Sequence, residues 1–318
     1  MADTTGSFQF MNEASESSLY RNGRVLIDRD SSGNTTASQG IELDAHNLKV
    51  TDARLLSPDT RMTCEVNGFE LVDSVVNRKV DFLDHKDVVE NYYAQCEQLV
   101  QQRTGGQTFA FDHNIRSARG NASKAQIKGG QDVQGPAHVV HGDYTLRSAP
   151  ERVQQLACPP SGNDTLKGFL REGESVIPRE LADAVARGRR FAIINVWRNI
   201  VDDPVETHPL ALCNAATVVP EDLVVFELHY PDRIGENYFS KAASAHEFYY
   251  YPRMSRNEAL LIKQWDSHGN LAQSDGVSQD RPGETCTFSF HTAFHPSDTR
   301  PDAPDRWSIE VRCIVIYP

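Results

Sequence analysis

The sequence predicts a mainly β fold with bracing α-helices. Segments rich in β-branched and aromatic residues crowd the second half of the 318-residue chain. Clusters of turn residues separate them, and two amphipathic helix patterns precede most of them. Together these suit an antiparallel sandwich or barrel with helices against it. We expect one domain over residues 1–318, because no internal repeat or sharp shift in composition divides the chain.

Residues 1–40 are rich in Ser, Thr, Gly and Asn, with one apolar patch, RVLID at 24–28. They read as a loosely ordered extension holding a short strand or two. In DFLDHKDVVENYYAQCEQLVQQRTG (81–105) the apolar positions recur at three and four residues, which predicts a helix stopped by Gly105-Gly106. Residues 112–137 are polar and Gly-rich and read as a long loop. PRELADAVARGRR (178–190) predicts a second helix, with Pro178 near its first turn and Gly188 near its end. The strands expected after it are 190–200, 222–230, 247–251, 259–267, 285–294 and 307–317.

Composition narrows the function. A net charge of −12 and a pI near 5.4 argue against a nucleic-acid partner, because phosphate binding needs a basic face. No run approaches the roughly 20 apolar residues of a membrane helix. The start, MADTTGSFQF, has neither the basic nor the apolar region of a secretory signal. Six scattered cysteines without a CxxC pair suggest reduced, mostly buried thiols in a cytoplasmic protein. A small-molecule partner is expected, and a homodimer is left open.

The stretch HVVHGDYT (138–145) raises the question of a metal site. His-x-Asp occurs twice, at His85-Lys86-Asp87 and His141-Gly142-Asp143. On a helix, residues two apart point about 200° apart, so His85 and Asp87 do not converge on one ion. On a strand they share a face, so His141 and Asp143 do converge. A catalytic non-haem iron needs a second imidazole and open positions. TFSFHTAFHP supplies it: read as a strand, Thr287, Ser289, His291, Ala293 and His295 face one way and the phenylalanines the other. Parity does not separate His291 from His295. Pro296 places His295 at the strand end, so His291 is preferred.

In RWSIEVRC, Arg306, Ser308, Glu310 and Arg312 share a face. A hairpin between 285–294 and 306–317 would set Arg306 and Ser308 near the iron and displace Arg312 by on the order of 20 Å. A guanidinium fork beside a hydroxyl suits a carboxylate. Arg198 in NVWRNI is a further candidate for a substrate or cosubstrate carboxylate. Its structural alternative, an ion pair bracing the barrel wall, stands beside that. Lys263, Asp266 and Ser267 read as structural, and Tyr249 to Tyr251 as wall packing.

NVWRNI (195–200), HPLALCNA (208–215), EFYYYPRMSRNEALLIKQWDS (247–267), HTAF (291–294) and RWSIEVR (306–312) resemble a fungal and bacterial family. It includes gibberellin desaturase, AsaB-like hydroxylases and the cephem-methoxylase component CmcJ. The likeness covers about residues 135–318 well and the N-terminal third weakly. It implies a double-stranded β-helix (jelly-roll, cupin-like) oxygenase using Fe(II), 2-oxoglutarate and O2. His141, Asp143 and His291 would then hold the iron, and Arg306 with Ser308 the distal carboxylate of 2-oxoglutarate. The reaction would be hydroxylation, desaturation or oxidative ring formation on a small specialised-metabolism substrate, such as an amino-acid-like acid.

Two residues depart from the family pattern: Asn214, where relatives tend to be acidic, and Trp307, where they carry Glu. The alternatives are an S-adenosylmethionine-dependent methyltransferase or its accessory subunit, and a non-catalytic jelly-roll binding protein. TGGQT and KGGQD follow no strand of the kind a methyltransferase uses, and no G-x-S-x-G elbow occurs.

Overall fold

The computed structural model describes residues 3–30, 35–76, 79–162, 164–231, 233–273 and 285–318. Its first strands are β1 (Thr4–Met11), β2 (Leu26–Arg29), β3 (Thr35–Gln39), β4 (Leu43–Asp52) and β5 (Phe69–Asp73). β6 (Gln107–Arg116), β7 (His141–Gly142), β8 (Phe191–Asn199), β9 (Leu210–Cys213) and β10 (Leu223–His229) follow. The last are β11 (Ile234–Ser240), β12 (Phe248–Tyr250), β13 (Glu258–Asp266), β14 (His291–Ala293) and β15 (Ser308–Ile316). Among the described residues, ten form one sheet in the order β1-β4-β12-β9-β14-β7-β11-β10-β2-β3. The other five form a second sheet, β5-β13-β8-β15-β6.

Strand alternation explains how each face of the second sheet is used. From β8 and β15, Ile194, Val196, Val311 and Cys313 pack outward against the helical side. Ile193, Ile314 and Ile316 pack inward with Phe8, Phe10 and Phe290 of the larger sheet. The outer face is covered by a helical segment made of α1 (His85–Asp87), a wider turn at Val88–Tyr92, and α2 (Tyr93–Thr104). α2 buries Tyr93, Cys96 and Val100. It stops at Gly105, which takes the left-handed φ of 72° that glycine adopts without strain. α3 (Ala118–Ala122), α4 (Ser148–Leu156) and α5 (Arg179–Ala186) complete the helices. α5 begins directly after Pro178 as expected.

Three expectations are corrected. The described part of the first 40 residues is not a loose extension: β1 pairs with β4 along all eight of its residues, and Phe8 and Phe10 are fully buried. Residues 1–2 and 31–34 of that stretch lie outside the described residues. The start of the supposed loop at 112–137 is strand β6, whose polar Asp112, Asn114 and Arg116 alternate with buried His113 and Ile115. Polar side chains on one face hid a strand whose other face is core.

The third correction bears on the site. β14 and β15 are not a hairpin. β14 lies in the larger sheet between β9 and β7, whereas β15 is the middle partner of β8 and β6 in the smaller one. The inward residues of β15 therefore reach the site from the opposite sheet.

Candidate active site

β7 and β14 are antiparallel neighbours in which His141 and His291 are direct register partners. Pairing sets both imidazoles side by side, with ring centroids 4.5 Å apart. Asp143 lies two residues on, and its Oδ1 is 3.6 Å from His141 Nε2. One ligand atom from each of His141, Asp143 and His291 lies within 4.8 Å of the others. Gly142 makes room on the other side: a Cβ there would sit 3.0 Å from the Phe288 ring.

The surroundings of these three suit metal binding. His141 donates Nδ1–H to the Val139 carbonyl at 2.7 Å, which leaves Nε2 with a free lone pair. His291 Nδ1 faces the Ser289 carbonyl at 3.5 Å. Burial and the neighbouring imidazole push His141 down to about 4, and burial also lowers His291, so both stay neutral near pH 7. Burial would raise the Asp143 carboxyl, but the Arg312 charge and both histidines outweigh it and hold it well below the usual range. Asp143 Oδ2 accepts from Asn195 Nδ2 at 3.2 Å and lies 3.4 Å from Arg312 Nε. Its backbone N–H donates to Gln264 Oε1 at 3.3 Å. One carboxylate oxygen is thus tied back, and the other turns toward the histidines.

Arg306 is 2% exposed and stacks over the Trp197 ring at 5.7 Å. Its Nη1 donates to the His208 carbonyl, while its Nε has no partner among the described residues. Burial and the charge of Arg116 push its guanidinium down to about 9. A buried cation without a bonded anion is costly, and a carboxylate ligand would relieve it. Ser308, two residues on at the start of β15, is also buried, with Oγ 3.5 Å from the Arg116 carbonyl.

Arg198 is not brought here. It leaves β8 on the opposite face, where Nε donates to Tyr92 Oη and Nη2 to Ser74 Oγ, each at 2.8 Å. Its Nη1 donates to the Arg256 carbonyl at 2.8 Å and to that of Ser74. The sequence-based carboxylate role is corrected: among the described residues Arg198 braces the wall through hydrogen bonds to neutral groups and not through the ion pair that the structural alternative expected. Strand parity carried the signal: Asn195 and Trp197 face inward, so Arg198 faces out.

Four site residues escaped the sequence reading. Arg312, displaced by the false hairpin, touches Asp143 and also pairs with Asp112 at 2.9 Å and Glu310 at 3.2 Å. Arg116 lies in the mistaken loop. Asn195 was overshadowed by Arg198 in the same motif. Gln264 lies at the β13 irregularity between Lys263 and Trp265. Lys263 joins Asp266 and Glu65 instead, and Tyr250 packs on Phe294, as the structural readings expected. Neither family departure enters the site: Asn214 bonds Glu247, and Trp307 packs with the outer helical side.

Beside Asp143 opens a cleft of about 980 Å³, walled by Arg116, Arg312, Tyr144, Arg152, Arg233 and Glu236 among others. Two facing sheets around a largely buried His-Asp-His group, with the buried Arg306 on the inner wall, suit the iron(II)/2-oxoglutarate-dependent oxygenase class. A family model described as "Oxidoreductase/YMDC permease-like domain" matches residues 8–316. An alpha-ketoglutarate-dependent dioxygenase, phiK, from Fungal sp. (strain ATCC 74256) is 30% identical over 86% of this chain and 85% of its own.

An uncharacterised protein encoded in the dcmA 3' region of Methylophilus leisingeri is 42% identical over 60% of this chain and 88% of its own. A solved structure of the iron and alpha-ketoglutarate-dependent endoperoxidase NvfI superposes with a TM-score of 0.72. That superposition covers 99% of this chain and 98% of the other at 21% identity, and it shows the jelly-roll fold. The chain belongs to this oxidoreductase family of Fe(II)/2-oxoglutarate-dependent dioxygenases. Among the described residues, no helix is long and apolar enough to cross a membrane.

Proposed function

We propose that His141, Asp143 and His291 hold the ferrous ion, and that Arg306 with Ser308 receives the distal carboxylate of 2-oxoglutarate. The convergence of three donor atoms within 4.8 Å carries the reading. When bound, the metal and cosubstrate supply O2 activation coupled to decarboxylation of 2-oxoglutarate to succinate and CO2. The chain's own residues do the positioning. Val139 and Asn195 orient the ligands, and Arg312 keeps Asp143 ionised. Arg306 binds one end of the cosubstrate, and the buried walls exclude water.

The substrate is a small molecule that enters the cleft beside Asp143 and is hydroxylated, desaturated or ring-closed at an unactivated C–H bond. Charges of both signs on the cleft wall, Arg116 and Arg233 with Glu236, support an amino-acid-like acid. We read the chain as one domain, because strands from both ends share a sheet and Thr4 Oγ1 donates to Asp298 Oδ1 at 2.9 Å. Free thiols at all six cysteines support a cytoplasmic setting.

The test is anaerobic Fe(II) loading followed by 2-oxoglutarate turnover. Wild-type protein should take up iron and release succinate, and His141→Ala should lose iron affinity and turnover together. Undiminished succinate release by His141→Ala would overturn the assignment.

A further inference from the structure

Three histidines from the quoted motifs stand outside the iron site: His138 of GPAHVVH, His208 of HPLALC and His295 of HTAFHP. The fold gathers them. His208 precedes β9, His295 follows β14 and His138 precedes β7, and these are three adjacent strands of the larger sheet. β14 runs antiparallel to both neighbours, so its end and their beginnings meet at one rim. The His138 and His295 rings stack at 4.9 Å and 7°, and the His208 ring stands 4.4 Å from His295 and 5.2 Å from His138. One ring nitrogen from each lies within 4.8 Å of the others.

We propose that His138, His208 and His295 form a second metal site, specific for a borderline divalent ion such as Zn(II), that clasps the rim of the sheet. Three imidazoles without a carboxylate suit Zn(II), Ni(II), Co(II) or Cu(II) and not Mg(II) or Ca(II). Three protein ligands leave a fourth tetrahedral position open, and His295 is exposed at the entrance.

Two features show a built arrangement. His138 donates Nδ1–H to the Ala293 carbonyl at 3.0 Å, which fixes its tautomer and leaves Nε2 as the donor atom. His208 is held at a φ of 46°, a left-handed conformation uncommon for a residue other than glycine. Its Nδ1 is buried without a hydrogen-bond partner among the described residues. Arg306 opposes a metal here, and Asp305 partly offsets it.

The proposal does not depend on the iron reading, and one titration separates them. The full chain is stripped of metal and titrated with Zn(II), then with Co(II) to record its ligand-field spectrum. Wild-type protein should bind two equivalents. His295→Ala, an exposed substitution, should bind one, the other weakened at least tenfold. The double variant His141→Ala, His291→Ala should also bind one, with a tetrahedral Co(II) spectrum, and lose it when His295→Ala is added. Unfolding temperature should rise with Zn(II) in that double variant and not in the triple one. His138→Ala repeats the test from another strand. No Zn(II) bound by the His141→Ala, His291→Ala double variant, or an equivalent there of unchanged affinity when His295→Ala or His138→Ala is added, would show ring stacking only and overturn the proposal. A single wild-type equivalent that persists in the double variant would overturn the iron reading and support this one.

Discussion

Arg312 Nε lies 3.4 Å from Asp143 Oδ2, joining the inner face of the smaller sheet to the proposed donor set beside the larger one. The contact keeps a partly buried carboxylate ionised beside two neutral imidazoles. Arg312→Met should therefore weaken Fe(II) binding about 10–100-fold, the usual cost of removing a group that orients a metal ligand. Metal titration under anaerobic conditions checks it. Arg312→Lys should recover part of the affinity, because charge survives while the fork that spans Asp112, Asp143 and Glu310 does not.

Arg306 makes the opposite prediction for stability. Its charge is buried and bonded to no anion among the described residues, so Arg306→Met should leave the metal-free protein as stable as wild type or more so. The loss of one bond to the His208 carbonyl limits the gain. The same change should abolish the stabilisation that 2-oxoglutarate confers. Arg306→Lys should raise the KM for 2-oxoglutarate about 10–100-fold, the worth of one charge-assisted hydrogen bond. Thermal melts with and without cosubstrate separate the two effects.

Arg198→Met tests the residue that the fold moved to the outer wall. It removes donors from Tyr92, Ser74 and Arg256, and should cost about 2–4 kcal/mol in urea unfolding. The KM for 2-oxoglutarate should not change. A large rise in KM with normal stability would return Arg198 to the site.

Acid stability should depend on Glu65. Burial would raise its carboxyl, but Thr285, Lys263 and Arg190 outweigh burial and push it down to about 2 from an ordinary 4.5. A carboxyl lowered by folding contributes stability above its unfolded pKa, and that contribution is lost as pH falls through the folded one. Wild-type protein should lose stability between about pH 4.5 and 2 more steeply than Glu65→Gln. The side chain is half exposed, so the difference is modest and shrinks with salt. Unfolding midpoints measured across that window decide it.

Much of the site was legible because strand chemistry is local. His141 and Asp143, two residues apart in a strand pattern, are expected to share a face; β7 ends at Gly142, and Asp143 just beyond it still converges on His141. The same parity, read from sequence, put Arg306 on the side of Ser308, the first residue of β15, and the phenylalanines of 288–294 opposite His291. Parity also held the correct answer for Arg198, where the attraction of a charged residue in a motif overrode it. β6 was missed for a different reason. Its polar face points into a cleft and not into solvent, so it reads like a loop in one dimension.

Residue order and alternation determined the β class, the bracing helices, the donor types and the face each donor occupies. Only the tertiary structure decided which strands are neighbours, because pairing depends on long-range closure and not on any local pattern. That decision separated β14 from β15 and brought Arg312 onto Asp143. It also sent His291 to the His141 group and His295 to His138 and His208. The two imidazoles have the same strand parity, but β7 stands opposite one and only the rim of the sheet is open to the other.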